Sequence, residues 1–164
     1  MTVRVAVLTV SDRSKEGIYE DKSGPRLIEI IRMHAGWDVA EIAVVRDEVD
    51  DIKSMLSKWC AEEVNLILTT GGTGFGPRDR TPEATKSVIE KDAPGISESL
   101  RAESLKKTPY AMLSRGVSGI TGHTLIINLP GNPNAISECM DILIPVLPHA
   151  LELLMGTGSA NHDA

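Results

Sequence analysis

Leu66-Ile67-Leu68-Thr69-Thr70-Gly71-Gly72-Thr73-Gly74-Phe75-Gly76-Pro77-Arg78-Asp79-Arg80-Thr81-Pro82 decides the fold. Three consecutive branched aliphatics read as a strand buried on both faces, which belongs in a parallel sheet covered by helices. Four glycines follow between positions 71 and 76. They let the main chain turn tightly and bring its N–H groups close to an anion, and the helix start at Thr81-Pro82-Glu83-Ala84 adds partial positive charge. Thr81 is expected to cap that helix, with Pro82 at its first position. The loop is not a P-loop, because no Gly-Lys-Ser/Thr follows, and the Gly-x-Gly-x-x-Gly spacing of dinucleotide sites fails.

Working outward, Val3 to Val10 reads as a first strand ending at Ser11-Asp12, and Ser23-Gly24-Pro25 as a cap opening a helix. Trp37 to Val45 alternates like a strand, and Asp47 to Glu62 has a helical apolar stripe through Ile52, Met55, Leu56 and Trp59. Gly95 to Lys107 predicts another helix. Val117 to Ile120 and Thr124 to Leu129 predict two strands joined at Thr121-Gly122, and Pro133 to Met155 a long helix kinked at Pro145 and Pro148. Strands alternating with helices predict an α/β fold with three layers, α/β/α, and a mainly parallel sheet carrying an antiparallel edge. Residues 1–156 are expected to form one domain and residues 157–164 a flexible tail.

The 164-residue chain is 41% hydrophobic and 24% charged, ordinary values for one globular core. Its net charge of −6 gives no footprint for nucleic acid or an anionic membrane, and 3% aromatics leave few stacking platforms for bases. No apolar run is long enough to span a bilayer. Cys60 and Cys139 are expected as buried thiols in a reducing compartment. The opening residues carry no leader pattern, so the cytoplasm is the expected location.

Candidate site residues cluster after the strands. Asp79 could hold Mg²⁺ against phosphate oxygens, and Asp47, after the second strand, belongs on the same rim. Ser11 and Asp12 share that geometry after the first strand. Leu129-Pro130-Gly131-Asn132-Pro133-Asn134 is a second loop opening a helix, with Pro130, Gly131, Asn132 and Pro133 as further candidates. Ser114 and Arg115 offer a hydroxyl and a guanidinium suited to phosphate, and Arg78 is a second candidate cation. No nucleophile elbow or Cys-His arrangement supports covalent acyl chemistry, which favours phosphoryl or nucleotidyl transfer with a metal.

Thr69 through Thr85, Leu8-Thr9-Val10-Ser11-Asp12 with Asp21-Lys22-Ser23-Gly24, and Leu125 to Pro133 resemble the molybdopterin adenylyltransferases, with MoaB-like proteins closely related. The resemblance covers nearly the whole chain. It implies a homotrimer that moves AMP from Mg-ATP to the terminal phosphate of molybdopterin and releases pyrophosphate, with handover to a molybdenum insertion protein. It also implies Asp79 and Asp47 as catalytic acids and Gly71, Gly72, Thr73 and Gly74 as the loop that meets nucleotide and pterin, and Thr70, Pro77, Arg78 and Thr81 along the same segment are further candidate binding residues. The same resemblance implies Ser114 and Arg115 on the substrate side, and Arg80 departs from the small or aliphatic residue usual there. A non-catalytic pterin carrier or scaffold is the alternative.

Overall fold

A computed structural model describes residues 2–158. Strand β1 (Val3–Val10) leads through a four-residue helix α1 (Asp12–Lys15) to α2 (Ser23–Arg32), β2 (Trp37–Val45), α3 (Val49–Ala61) and β3 (Leu66–Thr70). After the glycine loop come α4 (Thr81–Lys86), a short strand β4 (Lys91–Asp92), α5 (Pro94–Leu105) and a 3₁₀ turn (Pro109–Leu113). The hairpin β5 (Ser118–Thr121) and β6 (Thr124–Leu129) precedes α6 (Pro133–Leu143) and α7 (Leu147–Leu154).

The sheet order is β2-β1-β3-β6-β5-β4. β2, β1, β3 and β6 run parallel, and β5 and β4 form the antiparallel edge. Alternation along the strands sorts the two cores. Val5, Val7, Leu66, Leu68 and Ile127 face α2, α5, α6 and α7 through Leu27, Ile31, Leu100, Met140 and Leu151. Ala6, Leu8, Ile67 and Ile126 face α3 and α4 through Ile52, Leu56, Trp59 and Ala84. The expected three layers are therefore present.

Four local expectations change. The terminal helix is two helices, because Pro145 lacks the N–H that would continue α6, while Pro148 fits the first turn of α7. Ser23 is not the cap of α2: the side chain of Asp21 accepts from the Gly24 N–H at 3.0 Å instead. α3 starts at Val49, two residues after Asp47, and the residue at its cap position is Glu48. Thr81 is already inside α4, and its hydroxyl donates to the Gly71 carbonyl at 2.9 Å rather than capping. Of the tail expected at residues 157–164, the N–H groups of Thr157 and Gly158 bond the Glu152 carbonyl, and residues 159–164 lie outside the described residues.

Candidate active site

Strand order reverses at β1, since the chain moves from β1 outward to β2 and then returns to β3 on the other side. In parallel sheets this switch point leaves a crevice beyond the strand carboxyl ends. Four loops converge there: Ser11 and Asp12 after β1, Asp47 after β2, the glycine loop after β3, and Pro130 to Pro133 after β6. The Thr70 hydroxyl donates to the Pro130 carbonyl at 2.7 Å and the Gly71 N–H to Leu129 O at 3.2 Å, tying the two glycine-bearing loops together.

Gly71 and Gly72 have φ of +97° and +67°, the left-handed region that L side chains seldom adopt. A side chain on Gly71 would overlap the Val10 carbonyl, and one on Gly72 would overlap the Thr81 hydroxyl and come within 3.0 Å of Asp47 Oδ1. The loop is thus pressed onto β1, α4 and Asp47. Its N–H groups at Gly72, Thr73 and Gly74 donate to no acceptor among the described residues. Three successive unpaired donors in a turn form a concavity suited to an anion.

Two cavities flank this loop. One, about 270 Å³, is polar and lined by Ser11, Asp21, Lys22, Asp47, Gly72 and Asp79 among others. The other, about 300 Å³, has Leu100, Ala111 and Leu113 in its walls with Ser97, Arg101 and Ser114 as polar groups, and reaches Thr73 and Gly74. Gly71, Gly72, Gly131 and Pro133 line the polar cavity, while Pro130 lines the apolar one. Pro77, Arg78, Arg80, Thr81, Arg115 and Asn132 line neither. Arg80 is simply exposed, and Asn132 caps α6 by accepting from the Asn134 N–H at 2.9 Å.

The acids are held in different ways. Asp79 Oδ2 accepts from the Gly76 N–H at 2.9 Å, and Cβ atoms at Gly74 or Gly76 would each lie 2.9 Å from that oxygen, so the glycines make room for the carboxylate. Asp79 Oδ1 has no hydrogen-bond partner among the described residues. Asp47, 9% exposed, accepts from the Asp12 N–H at 2.9 Å, and the Asp47 N–H returns a bond to Asp12 Oδ1 at 3.0 Å. Burial holds the Asp47 carboxyl above its usual range, with the charges of Asp12 and Asp79 adding to the effect. Asp12 is held below the usual range by its hydrogen bonds from Arg78. Ser11 caps the short α1 by accepting from the Ser14 N–H at 3.2 Å.

Both arginines expected to meet phosphate are otherwise engaged. Arg78 donates from Nε and Nη2 to the two Asp12 oxygens at 3.0 Å each, and its Nη2 lies 2.9 Å from Glu48. Arg115 staples the glycine loop: its Nε donates to Gly74 O at 2.7 Å, its Nη2 to Asp79 O at 2.8 Å, and its Nη1 pairs with Glu83. The reason is charge density on a crowded rim, where an acid or carbonyl within reach of a guanidinium claims its planar donors. The cation that lines the polar cavity is Lys22, beside Asp21, whose carboxylate accepts from the Thr9 hydroxyl at 2.7 Å. Sequence reasoning read Ser23-Gly24-Pro25 as a helix start and gave Lys22 no site role, and it overlooked the apolar wall supplied by α5 at Ser97, Leu100, Arg101 and Ser104.

Asp47 permits a test on stability. A carboxyl whose folded value is raised costs stability wherever it is ionised, and the cost disappears once it is protonated in both states. Asp47→Asn keeps an acceptor for the Asp12 N–H and removes a buried charge. At pH 7 without metal, its melting midpoint is expected to rise by about 1–3 °C. Calorimetry should find that gain vanishing as the pH falls below about 4, the unfolded carboxyl range.

An α/β domain with its ligand-sized cavities at the carboxyl ends of parallel strands is the class that fold and site define. The chain belongs to the family described as "probable molybdopterin binding domain", which matches residues 6–149. A molybdopterin adenylyltransferase of Helicobacter pylori (strain J99) is 43% identical over 157 residues, spanning 94% of this chain and 89% of that protein. The molybdenum cofactor synthesis protein cinnamon of Drosophila melanogaster is 46% identical over 93% of this chain, which spans 26% of cinnamon. The crystal structure of the molybdopterin biosynthesis enzyme MoaB from Thermus thermophilus superposes with a TM-score of 0.88 at 46% identity, covering 96% of this chain and 99% of that one.

Proposed function

We infer that this chain acts in molybdenum cofactor biosynthesis as a molybdopterin adenylyltransferase, moving AMP from ATP to the terminal phosphate of molybdopterin. A phosphate oxygen of the pterin attacks the α-phosphorus, the bond to the β-phosphate bridging oxygen breaks, and pyrophosphate leaves. The observation that carries this reading is the pair of unlike cavities meeting at one strip of unpaired N–H donors. The apolar cavity suits a flat pterin with Ser97, Arg101 and Ser114 for its polar edge, and the polar cavity suits a nucleotide. The donors of Gly72, Thr73 and Gly74 at their junction then hold the reacting phosphates in register.

The polar cavity places Asp21, Asp47 and Asp79 against a single lysine, so a polyanionic nucleotide needs an added cation to enter. Oxygen donors on Asp79 and Asp47 fit Mg²⁺, with Asp79 Oδ1 lacking a partner among the described residues. When bound there, Mg²⁺ would neutralise phosphate charge. Asp79 and Asp47 would hold that ion, Lys22 attracts the nucleotide, and Arg115 and Arg78 keep the loop and Asp12 in place.

Mg-ATP is expected to yield pyrophosphate only when molybdopterin is present. A pterin that binds without turnover would instead make the chain a carrier or scaffold, a reading that the adenylyltransferase relatives disfavour. The proposal extends to a cytoplasmic homotrimer that passes its product to a molybdenum-inserting protein. Free Cys60 and Cys139 fit a reducing compartment, and no helix among the described residues is long and apolar enough to cross a membrane. Light scattering at micromolar concentration should give three chains per particle, and a monomer would count against the assembly.

A further inference from the structure

Thr81 is fully buried beneath the glycine loop and lines neither cavity, so it cannot touch a ligand. Nor does its hydroxyl serve helix α4, since it donates to the Gly71 carbonyl at 2.9 Å. Its N–H donates to the Gly72 carbonyl at 3.1 Å. One residue therefore holds two successive peptide carbonyls of the cradle. Across a trans peptide, C=O and N–H point in opposite directions. With the Gly71 and Gly72 carbonyls drawn onto Thr81, the N–H groups of Gly72 and Thr73 are turned away from it, and neither finds an acceptor among the described residues.

Thr81 is anchored in turn. Its carbonyl accepts from the Thr85 hydroxyl at 2.8 Å, and Thr85 Oγ1 accepts from Asn128 Nδ2 at 3.0 Å. The same Nδ2 donates to the Thr69 hydroxyl at 3.0 Å, and Asn128 Oδ1 accepts from the Val117 N–H at 3.1 Å. Thr69, Thr81 and Thr85 are completely buried and Asn128 is 3% exposed. A satisfied polar chain in a low-dielectric interior is stiff, because any rotation leaves a buried group unpaired. It runs from the wall of the apolar cavity, where Asn128 stands, to the underside of Gly71 and Gly72 in the polar cavity.

We propose that Thr81 is a positioning residue for phosphoryl transfer: it sets the orientation of the Gly71–Gly72 and Gly72–Thr73 peptides so that their N–H groups are presented to the reacting phosphates, and Thr85 and Asn128 hold it in place. This rests on the adenylyltransferase reading of the site. Hydrogen bonds aimed at a transition state lose their worth when tilted, so the effect falls on turnover more than on folding.

The test compares Thr81→Val and Thr81→Ala, which lack the hydroxyl, with Thr81→Ser, which keeps it. Pyrophosphate release from Mg-ATP with saturating molybdopterin is measured alongside melting temperature. Both hydroxyl-free variants are expected to lose about tenfold to a hundredfold in kcat, with KM for ATP changing less, and the serine variant is expected to recover most of the turnover. A folded valine or alanine variant turning over within about twofold of the serine variant would overturn the proposal, on the scale at which a misplaced group is felt. Failure of both to fold would overturn it too, by making Thr81 a residue of the fold. The unsubstituted chain run in parallel separates the two readings: if it releases no pyrophosphate from Mg-ATP when molybdopterin is added, the adenylyltransferase reading fails, and if it turns over and Thr81→Val matches it, the Thr81 role alone fails.

Discussion

Asp79→Asn is expected to slow pyrophosphate release at least about a hundredfold, the loss typical of removing one preorganised electrostatic contact. Asparagine has the same shape and still offers an oxygen to the Gly76 N–H, now 2.9 Å from Asp79 Oδ2, so the turn from Gly76 to Asp79 survives. The Asp79 N–H to Gly76 O bond at 3.0 Å is untouched, as is the bond from Arg115 to the Asp79 carbonyl at 2.8 Å. The variant therefore isolates charge from geometry. A carboxylate that merely closes the turn would leave turnover near normal, and that outcome would remove Asp79 from the catalytic set. Single-turnover measurement with bound Mg-ATP places the loss at the chemical step or at nucleotide binding.

Gly72→Val is expected to abolish binding of both ATP and molybdopterin in a chain that remains folded. From the sequence, the new side chain would enter the space of a phosphate. In the structure the obstruction is internal: it would overlap the Thr81 hydroxyl, approach Asp47 Oδ1 to 3.0 Å, and sit at φ +67°. A β-branched residue there costs on the order of 1–3 kcal/mol, which for a chain of this size lowers the melting midpoint by roughly 3–10 °C. Neither hydrophobic core includes a residue of the loop, so the sheet and its helices persist. The loop is then forced off Thr81, and its N–H donors scatter. Titration calorimetry beside circular dichroism measures both effects, and a folded variant binding both ligands with normal affinity would rule out the cradle.

How much of this was legible beforehand follows the range of the forces involved. Leu66 to Leu68 announced a buried parallel strand because a strand covered on both faces must be apolar throughout. Gly71 and Gly72 announced a turn because their φ values are open to glycine above other residues. The three layers, the antiparallel edge, and the rim positions of Asp47 and Asp79 follow from strand and loop order, which local patterning carries. Side-chain partnership is different. Arg78 meets Asp12 across 66 positions, Arg115 meets Gly74 across 41, and Asn128 meets Thr85 across 43. Pattern along the chain is silent on such meetings, so it did not show that two arginines read as phosphate ligands bond Asp12 and the loop carbonyls, or that Thr81, read as a cap, donates to the Gly71 carbonyl. Lys22 and the α5 wall became site residues only when β1 and β6 brought their loops to one crevice. Local propensity and hydrophobic period determined the architecture from the sequence by itself, whereas the assignment of each polar group to its partner was decided by the tertiary structure, because a hydrogen bond depends on distances of a few tenths of an ångström that only the packed chain defines.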